Sequence, residues 1–302
     1  MTVLLQISDP HFGTERAAVV EALVRFAHEQ RPDVLLLSGD ITQRATNAQF
    51  AAARAFVDRL RVPAALVIPG NHDIPLFNLA ARLFSPYGHY RRAFGDALEP
   101  QFENDDVLVI ALNTTRWYRR EDGEVSATQI ERVARGLGSA RAAQWRMVVM
   151  HQPVVVTRGQ DVTNLLHGRE AAVQRWAAAG ADLVIGGHIH LPFVLPLRER
   201  WPSLPRAMWA VQAGTAVSSR VRADAGNSVN VIRVGAAADA AAAEKTARPA
   251  AATVKIGPPA TAAEGAAVAA RRCCVVERWD HSAAAQRFER AAVYRLGGTH
   301  VG

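Results

Sequence analysis

The feature that most constrains the fold is an alternation of short apolar runs with longer segments of helical period through the first two hundred residues. Runs of a few residues rich in Val, Ile and Leu predict β-strands, whereas longer amphipathic segments predict helices. The predicted strands are 3–7, 33–37, 65–68, 107–112, 147–150 and 183–185, and the predicted helices are 17–29, 48–60, 128–136 and 169–179. Strands that alternate with helices in this way are typical of an α/β fold.

After about residue 192 the pattern changes to strand-like runs without clear helices, which we expect to form a second sheet packed against the first. These runs are 193–197, 208–212, 229–234, 273–279 and 292–296. Residues 236–270 interrupt them, and 18 of these 35 residues are alanine. A segment so poor in large apolar side chains does not offset the entropy lost on ordering. We therefore expect a flexible insertion, with a short Ala-rich surface helix as the alternative.

The charged residues are unbalanced, with 35 Lys and Arg against 28 Asp and Glu, which gives a net charge of +7. This excess is compatible with a phosphate-bearing ligand and leaves nucleic acid open as a partner. The two cysteines, Cys273 and Cys274, are adjacent, so they neither join distant segments nor supply a four-thiolate zinc site. Because no apolar run approaches the roughly 20 residues of a membrane span, and no basic leader precedes the first run, we expect a cytoplasmic protein.

Five polar clusters follow predicted strands directly. Their sequences are SDPH at 8–11, GD at 39–40, PGNHD at 69–73, MHQP at 150–153 and GGHIH at 186–190. In an α/β sheet the loops beyond the carboxyl ends of the strands meet at one rim. We therefore expect these clusters to lie close together, although they are spread over some 180 residues of sequence.

The clusters supply a set of metal-binding donors that holds two Asp, one Asn and four His. The candidate ligands are Asp9, His11, Asp40, Asn71, His151, His188 and His190. Oxygen and nitrogen donors without thiolate suit Mn, Fe, Zn or Co. Asp9 and His11 are two residues apart, as are His188 and His190, so an extended backbone would point each pair to one side. Seven donors exceed the needs of one tetrahedral ion, and two dications that repel each other need an anion between them, for which Asp40 is the natural bridge.

The ordered set Asp-x-His, Gly-Asp, Gly-Asn-His-Asp, His and Gly-His-x-His resembles the calcineurin-like binuclear metallophosphoesterase superfamily. It is similar in particular to the bacterial branch that includes the class III cyclic-nucleotide phosphodiesterases. The resemblance covers residues 1–235 and the closing strands. It implies a single domain, 1–302, folded as a four-layer αββα sandwich of two mixed β-sheets flanked by helices, in which residues 74–104 are a possible cap.

The resemblance also implies roles for individual residues. It assigns Asp9, His11 and His190 to one metal, Asn71, His151 and His188 to the other, and Asp40 to both. Catalysis would involve His72 as general acid beside the leaving-group oxygen, Asp73 holding the His72 ring, and the Asn71 amide stabilising charge on the phosphate. A hydroxide that bridges the metals would attack phosphorus in line.

The leading hypothesis is therefore a metal-dependent phosphodiesterase that acts on a small phosphodiester, with a 3′,5′-cyclic nucleotide as the best single guess. A broad-specificity phosphatase or a nuclease on the same scaffold is the alternative, and a non-catalytic scaffold is a third. Candidate substrate contacts are Arg44, Asn113 and Arg116, which follow strand ends and suit phosphate recognition. A homodimer is possible.

Overall fold

The computed structural model describes residues 1–76, 78–235, 253–256 and 273–297. Their strands are β1 Thr2–Ile7, β2 Val34–Ser38, β3 Ala64–Ile68, β4 Gln101–Glu103, β5 Val107–Ala111, β6 Trp145–Val149, β7 Leu183–Gly186, β8 Phe193–Pro196, β9 Trp209–Gln212, β10 Ser228–Gly235, β11 Thr253–Ile256, β12 Cys273–Ser282 and β13 Arg287–Gly297. Their helices are α1 Ala17–Gln30, α2 Asn47–Leu60, α3 Leu79–Phe84, α4 Gly88–Phe94, α5 Ala127–Gly138 and α6 Arg169–Ala178. All of the strands and helices predicted from the sequence are present, with ends that differ by a few residues.

The strands form two mixed sheets. The first has the order β11-β13-β12-β10-β1-β2-β3, and the second has the order β4-β5-β6-β7-β9-β8. Strands β1, β2 and β3 are parallel to one another, as are β5, β6, β7 and β9. The parallel part of each sheet therefore sends its strand ends toward one rim, and the antiparallel strands extend the sheets on either side.

The two sheets pack face to face, and helices cover their outer faces. Alternate residues of a strand point to opposite sides, so Leu4 of β1 belongs to the core between the sheets, whereas Leu5 packs under the helices of the first sheet. Helices α1 and α2 contribute to that outer core, and α5 and α6 cover the second sheet. The predicted four-layer αββα sandwich is confirmed.

One sequence-based expectation about the sheets is wrong. The late strands do not form a sheet of their own, because β8 and β9 join the second sheet with β4 to β7, while β10, β12 and β13 extend the first sheet beyond β1. The chain thus returns to the first sheet after β9, and β10 pairs antiparallel with β1. Such a return depends on contacts between distant segments, which local sequence patterns do not report.

The predicted cap divides into two parts. Helix α4 belongs to the outer layer of the first sheet, because Tyr90 is buried and its hydroxyl donates to the Val67 carbonyl at 2.7 Å. Helix α3 projects outward, with Leu79 and Phe84 exposed. The predicted insertion 236–270 lies outside the described residues, except that β11 pairs with β13 in parallel. Within the described ranges, no helix is long and apolar enough to cross a membrane.

Candidate metal centre

The five polar clusters meet at the rim where the parallel strands end. Candidate ligand atoms lie within 4.8 Å of one another in three overlapping groups: Asp9, His11 and His190; His11, Asp40 and His72; and Asp40, His151 and His188. The Asn71 side-chain oxygen lies 3.2 Å from Nε2 of His151. All seven predicted ligands are therefore brought together, and His72 lies among them.

The backbone at the candidate ligands is not extended, contrary to the sequence-based expectation. Asp9, His11, Asp40, His188 and His190 have φ values of 52°, 43°, 48°, 73° and 56°, in the left-handed region. That region costs a non-glycine residue about 1–2 kcal/mol. The paired side chains of each Asp-x-His or His-x-His segment thus converge through two left-handed residues rather than through the pleat of a strand. Strain of this kind concentrates at functional sites.

Two glycines allow these strand-end loops to approach each other. Gly39 has φ of 94°, and a Cβ at this position would overlap the His151 ring. A Cβ on Gly70 would overlap the backbone and carboxylate of Asp40. The glycines of the Gly-Asp and Gly-Asn-His-Asp motifs are therefore required by close packing around two candidate ligands.

One group of donors surrounds an unpaired carboxylate oxygen. Asp9 is fully buried, and its Oδ1 has no hydrogen-bond partner within the described residues. Nε2 of His190 lies 3.3 Å from that oxygen, and Nε2 of His11 lies 3.0 Å from Nε2 of His190. Because a buried carboxylate is costly unless it is paired, this arrangement fits a cation between Asp9, His11 and His190.

Asp40 lies between that group and a second one. Its Oδ2 is 3.6 Å from Nε2 of His11, and its Oδ1 is 3.3 Å from Nε2 of His151. Nδ1 of His188 lies 3.3 Å from the same His151 nitrogen. A single carboxylate thus faces both groups with different oxygens, which is the geometry that two neighbouring dications need. The donors present fit a pair of divalent metal ions.

Hydrogen bonds fix which nitrogen each histidine presents to the centre. Nδ1 of His151 donates to the Ser38 carbonyl at 2.9 Å, and Nδ1 of His190 donates to the Arg220 carbonyl at 2.6 Å. Nε2 of His188 donates to the Asn164 side-chain oxygen at 3.1 Å. Since each ring donates outward, the other nitrogen keeps its lone pair for a metal, an arrangement usual around metal-binding histidines.

The electrostatics of the centre favour bound positive charge. Burial lowers the pKa of His11 to about 3, and burial together with the neighbouring His151 lowers the pKa of His188 to about 3. Burial opposes the charged form of Asp40, but His151 and His72 outweigh it and hold the pKa of this carboxyl well below its usual range. Burial likewise opposes protonation of His151, but Asp40 and Asp9 raise its pKa to about 9. The ionised Asp40 and the neutral His11 and His188 are in the forms that metals bind, whereas a metal bound at His151 would displace the proton that Asp40 and Asp9 favour there.

The predicted contact between Asp73 and the His72 ring is absent from the structure. Nδ1 of His72 instead donates to the Gln43 carbonyl at 3.0 Å. The buried Asp73 carboxylate accepts from the backbone of Ile41 and Gly70, and from both the backbone and the hydroxyl of Thr42. Burial and the nearby Asp40 raise the pKa of Asp73 to about 6. Asp73 therefore ties the loops after β2 and β3 together and does not orient the imidazole.

Arg220 is a site residue that the sequence motifs did not reveal. Its guanidinium Nη1 donates to Oε1 of Gln43 at 3.1 Å and lies 3.1 Å from Nε2 of His72 and 3.3 Å from Nδ1 of His11. It lies in the segment that follows β9, whose carboxyl end lies beside that of β7. In the sequence, Arg220 is recognisable only as an arginine shortly after a strand whose carboxyl end lies at the rim. No characteristic spacing marks it as part of a motif.

The three predicted substrate contacts lie in different places. Arg44 lines a cavity that also contains Asn71 and His72. Arg116 instead donates to the carbonyls of Asn113 and Thr115 and to Gln129, and the Asn113 side chain accepts from Thr115. Asn113 and Arg116 line a separate cavity. These hydrogen bonds hold the loop after β5, and substrate contact by Asn113 and Arg116 stays a prediction.

An αββα sandwich with groups of metal-binding donors at its rim is typical of metal-dependent hydrolases. Residues 2–192 match the calcineurin-like phosphoesterase family. Because this match covers more than half of the chain, the protein belongs to that family. The resemblance inferred from the five motifs is confirmed.

Two curated relatives are similar in sequence. The chain is 29% identical over 184 residues to a probable cyclic nucleotide phosphodiesterase of Synechococcus sp., an alignment that covers 60% of this chain and 66% of the relative, just under two thirds. It is 25% identical over 201 residues to a probable glycerophosphodiester phosphodiesterase, GpdQ, of Arcobacter nitrofigilis, with 62% and 71% covered. Both names describe diesterases.

Two solved structures share the fold. A dimetal phosphatase from Danio rerio superposes with a TM-score of 0.57 at 13% identity, covering 76% of this chain and 92% of that one. The purple acid phosphatase PPD1 from yellow lupin superposes with a TM-score of 0.63 at 10% identity, covering 97% and 53%. At this level of identity the likeness establishes the fold.

Proposed function

We propose that this protein is a phosphodiesterase that uses two divalent metal ions held by Asp9, His11, Asp40, Asn71, His151, His188 and His190. The observation that carries the proposal is Asp40, whose two oxygens face separate groups of metal-binding donors. Mn, Fe, Zn and Co are the candidate ions for this set of oxygen and nitrogen donors. When bound, the ions supply the Lewis acidity that activates water and neutralises charge on the phosphate.

His72 is proposed as the general acid. The Gln43 carbonyl holds its Nδ1 hydrogen, which leaves Nε2 directed toward Arg220 and the candidate metal centre. From there a protonated Nε2 donates to the leaving-group oxygen as the P–O bond breaks. The backbone amide of His72 donates to Asp40 at 2.8 Å, which fixes the distance between the acid and the centre.

Arg220 and Asn71 are proposed to bind the phosphate. The guanidinium of Arg220 is held by Gln43 beside His72, so it can donate to a non-bridging phosphate oxygen while His72 protonates the leaving group. The Asn71 amide lies at the other group of donors, near His151. Donors on both sides of the phosphate stabilise the charge that develops in the transition state.

The two diesterase relatives support a diester rather than a monoester as the substrate. A 3′,5′-cyclic nucleotide is the candidate that the first relative suggests. The expected cytoplasmic location, the homodimer and the boundaries of the cap and the insertion stay predictions.

The test is hydrolysis of bis(p-nitrophenyl) phosphate by the full chain after treatment with a chelator and reloading with Mn²⁺, Fe²⁺, Zn²⁺ or Co²⁺. We expect no turnover in the chelated protein, restored turnover after reloading, and about two ions bound per chain by elemental analysis. The corresponding monoester, p-nitrophenyl phosphate, should be the poorer substrate. Folded protein that binds two ions without hydrolysing either ester would support a non-catalytic scaffold instead.

A further inference from the structure

A cavity of about 240 Å³ opens directly beside the proposed general acid. Asn71 and His72 line it, together with Gln43, Ile74 and Leu76 and the charged side chains of Arg44, Arg82, Arg120 and Glu121. We call this cavity the arginine pocket. The pocket lies on the same side of the metal centre as His72. In the proposed function, His72 gives its proton to the oxygen of the departing alcohol. The leaving group therefore enters this pocket.

Arginines outnumber acids in the lining of the arginine pocket. Three arginines and one glutamate line it, and the guanidinium of Arg82 donates to the carbonyls of Pro75 and Arg119 at 3.3 and 2.9 Å. Partial burial and the nearby Arg120 lower the pKa of Arg82, as expected where cations are crowded. A bound anion would relieve this crowding.

Two neighbouring arginines of the loop after β5 differ in whether acidic side chains pair with them. Arg119 pairs with Asp122 and Glu124 at 2.9 Å each. Arg120, the next residue, makes no ion pair or hydrogen bond with any part of the chain that the structure describes, and its side chain lines the pocket. The acids of this loop thus neutralise the arginine outside the pocket and leave Arg120 available to a ligand.

We infer that the arginine pocket binds a leaving group that carries its own phosphate, so that the preferred substrates are phosphodiesters whose departing alcohol is phosphorylated. This inference rests on the proposed function. Planar guanidinium groups match the geometry of a phosphate and bind it through paired hydrogen bonds. A 3′,5′-cyclic nucleotide has a single phosphate and its departing oxygen stays on the same ribose, so it would leave the pocket without an anion.

The reaction balances without any further reactant. Water adds across the P–O bond, so that the hydroxyl stays on phosphorus and the proton is delivered to the departing oxygen by His72. The products are a phosphomonoester from the retained side and a second phosphomonoester, the departing alcohol phosphate, from the arginine pocket.

The test compares two diesters that differ only in the phosphate. Glycerophosphoglycerol releases glycerol, whereas glycerophosphoglycerol phosphate yields either two molecules of glycerol phosphate or one of glycerol and one of glycerol bisphosphate. We expect kcat/KM to be at least about 10-fold higher for the phosphorylated diester, since one charge-assisted contact is worth that much. We also expect glycerol phosphate as the only product from it, because the phosphorylated glycerol departs.

Variants connect this preference to the pocket. Arg120→Gln and Arg44→Gln should each bring the ratio of kcat/KM for the two diesters toward one. The matched control is Arg287→Gln, which removes an exposed arginine of β13 that pairs with Glu289 and lines neither the pocket nor the metal centre. It should leave the ratio as in the wild type.

Two results would overturn the inference. If bis(p-nitrophenyl) phosphate is hydrolysed but the phosphorylated diester is no better than the unphosphorylated one, the pocket does not select phosphate while the proposed function stands. Glycerol bisphosphate as the main product would also overturn the inference, because the unphosphorylated glycerol would then be the leaving group. Absence of turnover on all three esters by metal-loaded, folded protein would remove the proposed function and this inference together.

Discussion

The candidate metal centre and the arginine pocket share His72 and Asn71 but are built differently. The centre is made of buried side chains such as Asp9, His11 and His151 that directly follow strands of both sheets. The charged side chains of the pocket are exposed or half-buried and lie in the loop after β2, on α3 and in the loop after β5. The pocket arginines are not part of the buried core, whereas Asp9, His11, Asp40 and His151 of the centre are buried beyond the strand ends.

This difference separates what the fold determines from what it leaves free. Left-handed backbone at five candidate ligands and glycines without room for a Cβ make the centre a fixed part of the sandwich. Loops on a rigid scaffold are where specificity usually resides. The centre thus indicates the class of reaction, and the pocket beside it is where the substrate should be read. Changes in the centre should abolish activity on every ester, and changes outside it should alter activity selectively or not at all.

The largest effect is expected from Asp40→Asn. This isosteric change keeps an oxygen for the His72 amide but removes the negative charge between the two groups of donors. We expect kcat/KM to fall by more than about 10³-fold on every ester, the upper end of losses when one electrostatic contact is removed from an active site. Elemental analysis should find fewer than two ions per chain. Asp58→Asn, at an exposed carboxylate of α2, is the control, and two tightly bound ions in the Asp40 variant would contradict the bridging role.

His72→Gln should be the next most damaging change, with a loss of about 10²- to 10⁴-fold. The loss should be smallest for bis(p-nitrophenyl) phosphate, because p-nitrophenolate departs without needing a proton, and largest for alkyl diesters. Kinetics on both types of ester would measure the difference. His89→Gln is a matched control, since the Nδ1 of His89 also donates to a backbone carbonyl, that of Ala45. An equal loss on all esters together with lost metal would identify His72 as a ligand rather than an acid.

The sequence predicts the centre better than its surroundings. Asp9, His11 and the other candidate ligands are recognisable because they follow strands in a fixed order, and parallel strands bring such positions to one rim. Local patterns do not report that β10 crosses back to the first sheet, that Asp73 binds the backbone of another loop, or that Arg220 reaches His72. Each of these depends on contacts between residues far apart in sequence, so only the folded chain shows them.

Substitution of Arg220 tests whether a residue outside the sequence motifs contributes to catalysis at the metal centre. Arg220→Gln should lower kcat/KM by about 10- to 100-fold, since a hydrogen bond from a charged donor to phosphate is lost. It should also weaken competitive inhibition by inorganic phosphate, while Arg220→Lys should recover part of the loss as a point charge without the fork. Arg54→Gln, on the exposed face of α2, is the control. Unchanged inhibition by phosphate in Arg220→Gln would show that the guanidinium supports His72 and Gln43 without binding substrate.

The smallest effect on catalysis is expected from Arg116→Gln, because Arg116 lies outside both the metal centre and the arginine pocket. Its guanidinium is committed to the carbonyls of Asn113 and Thr115 and to Gln129, so its loss should be felt as stability. We expect a cost of about 1–3 kcal/mol, because buried acceptors lose their donor, and a fall in Tm of several degrees by thermal unfolding. The kcat/KM should stay within about 2-fold, since surface changes away from the site leave the reacting groups in place. A loss of activity above 10-fold at unchanged Tm would instead show that the loop after β5 contacts the substrate, in addition to the metal centre and the arginine pocket.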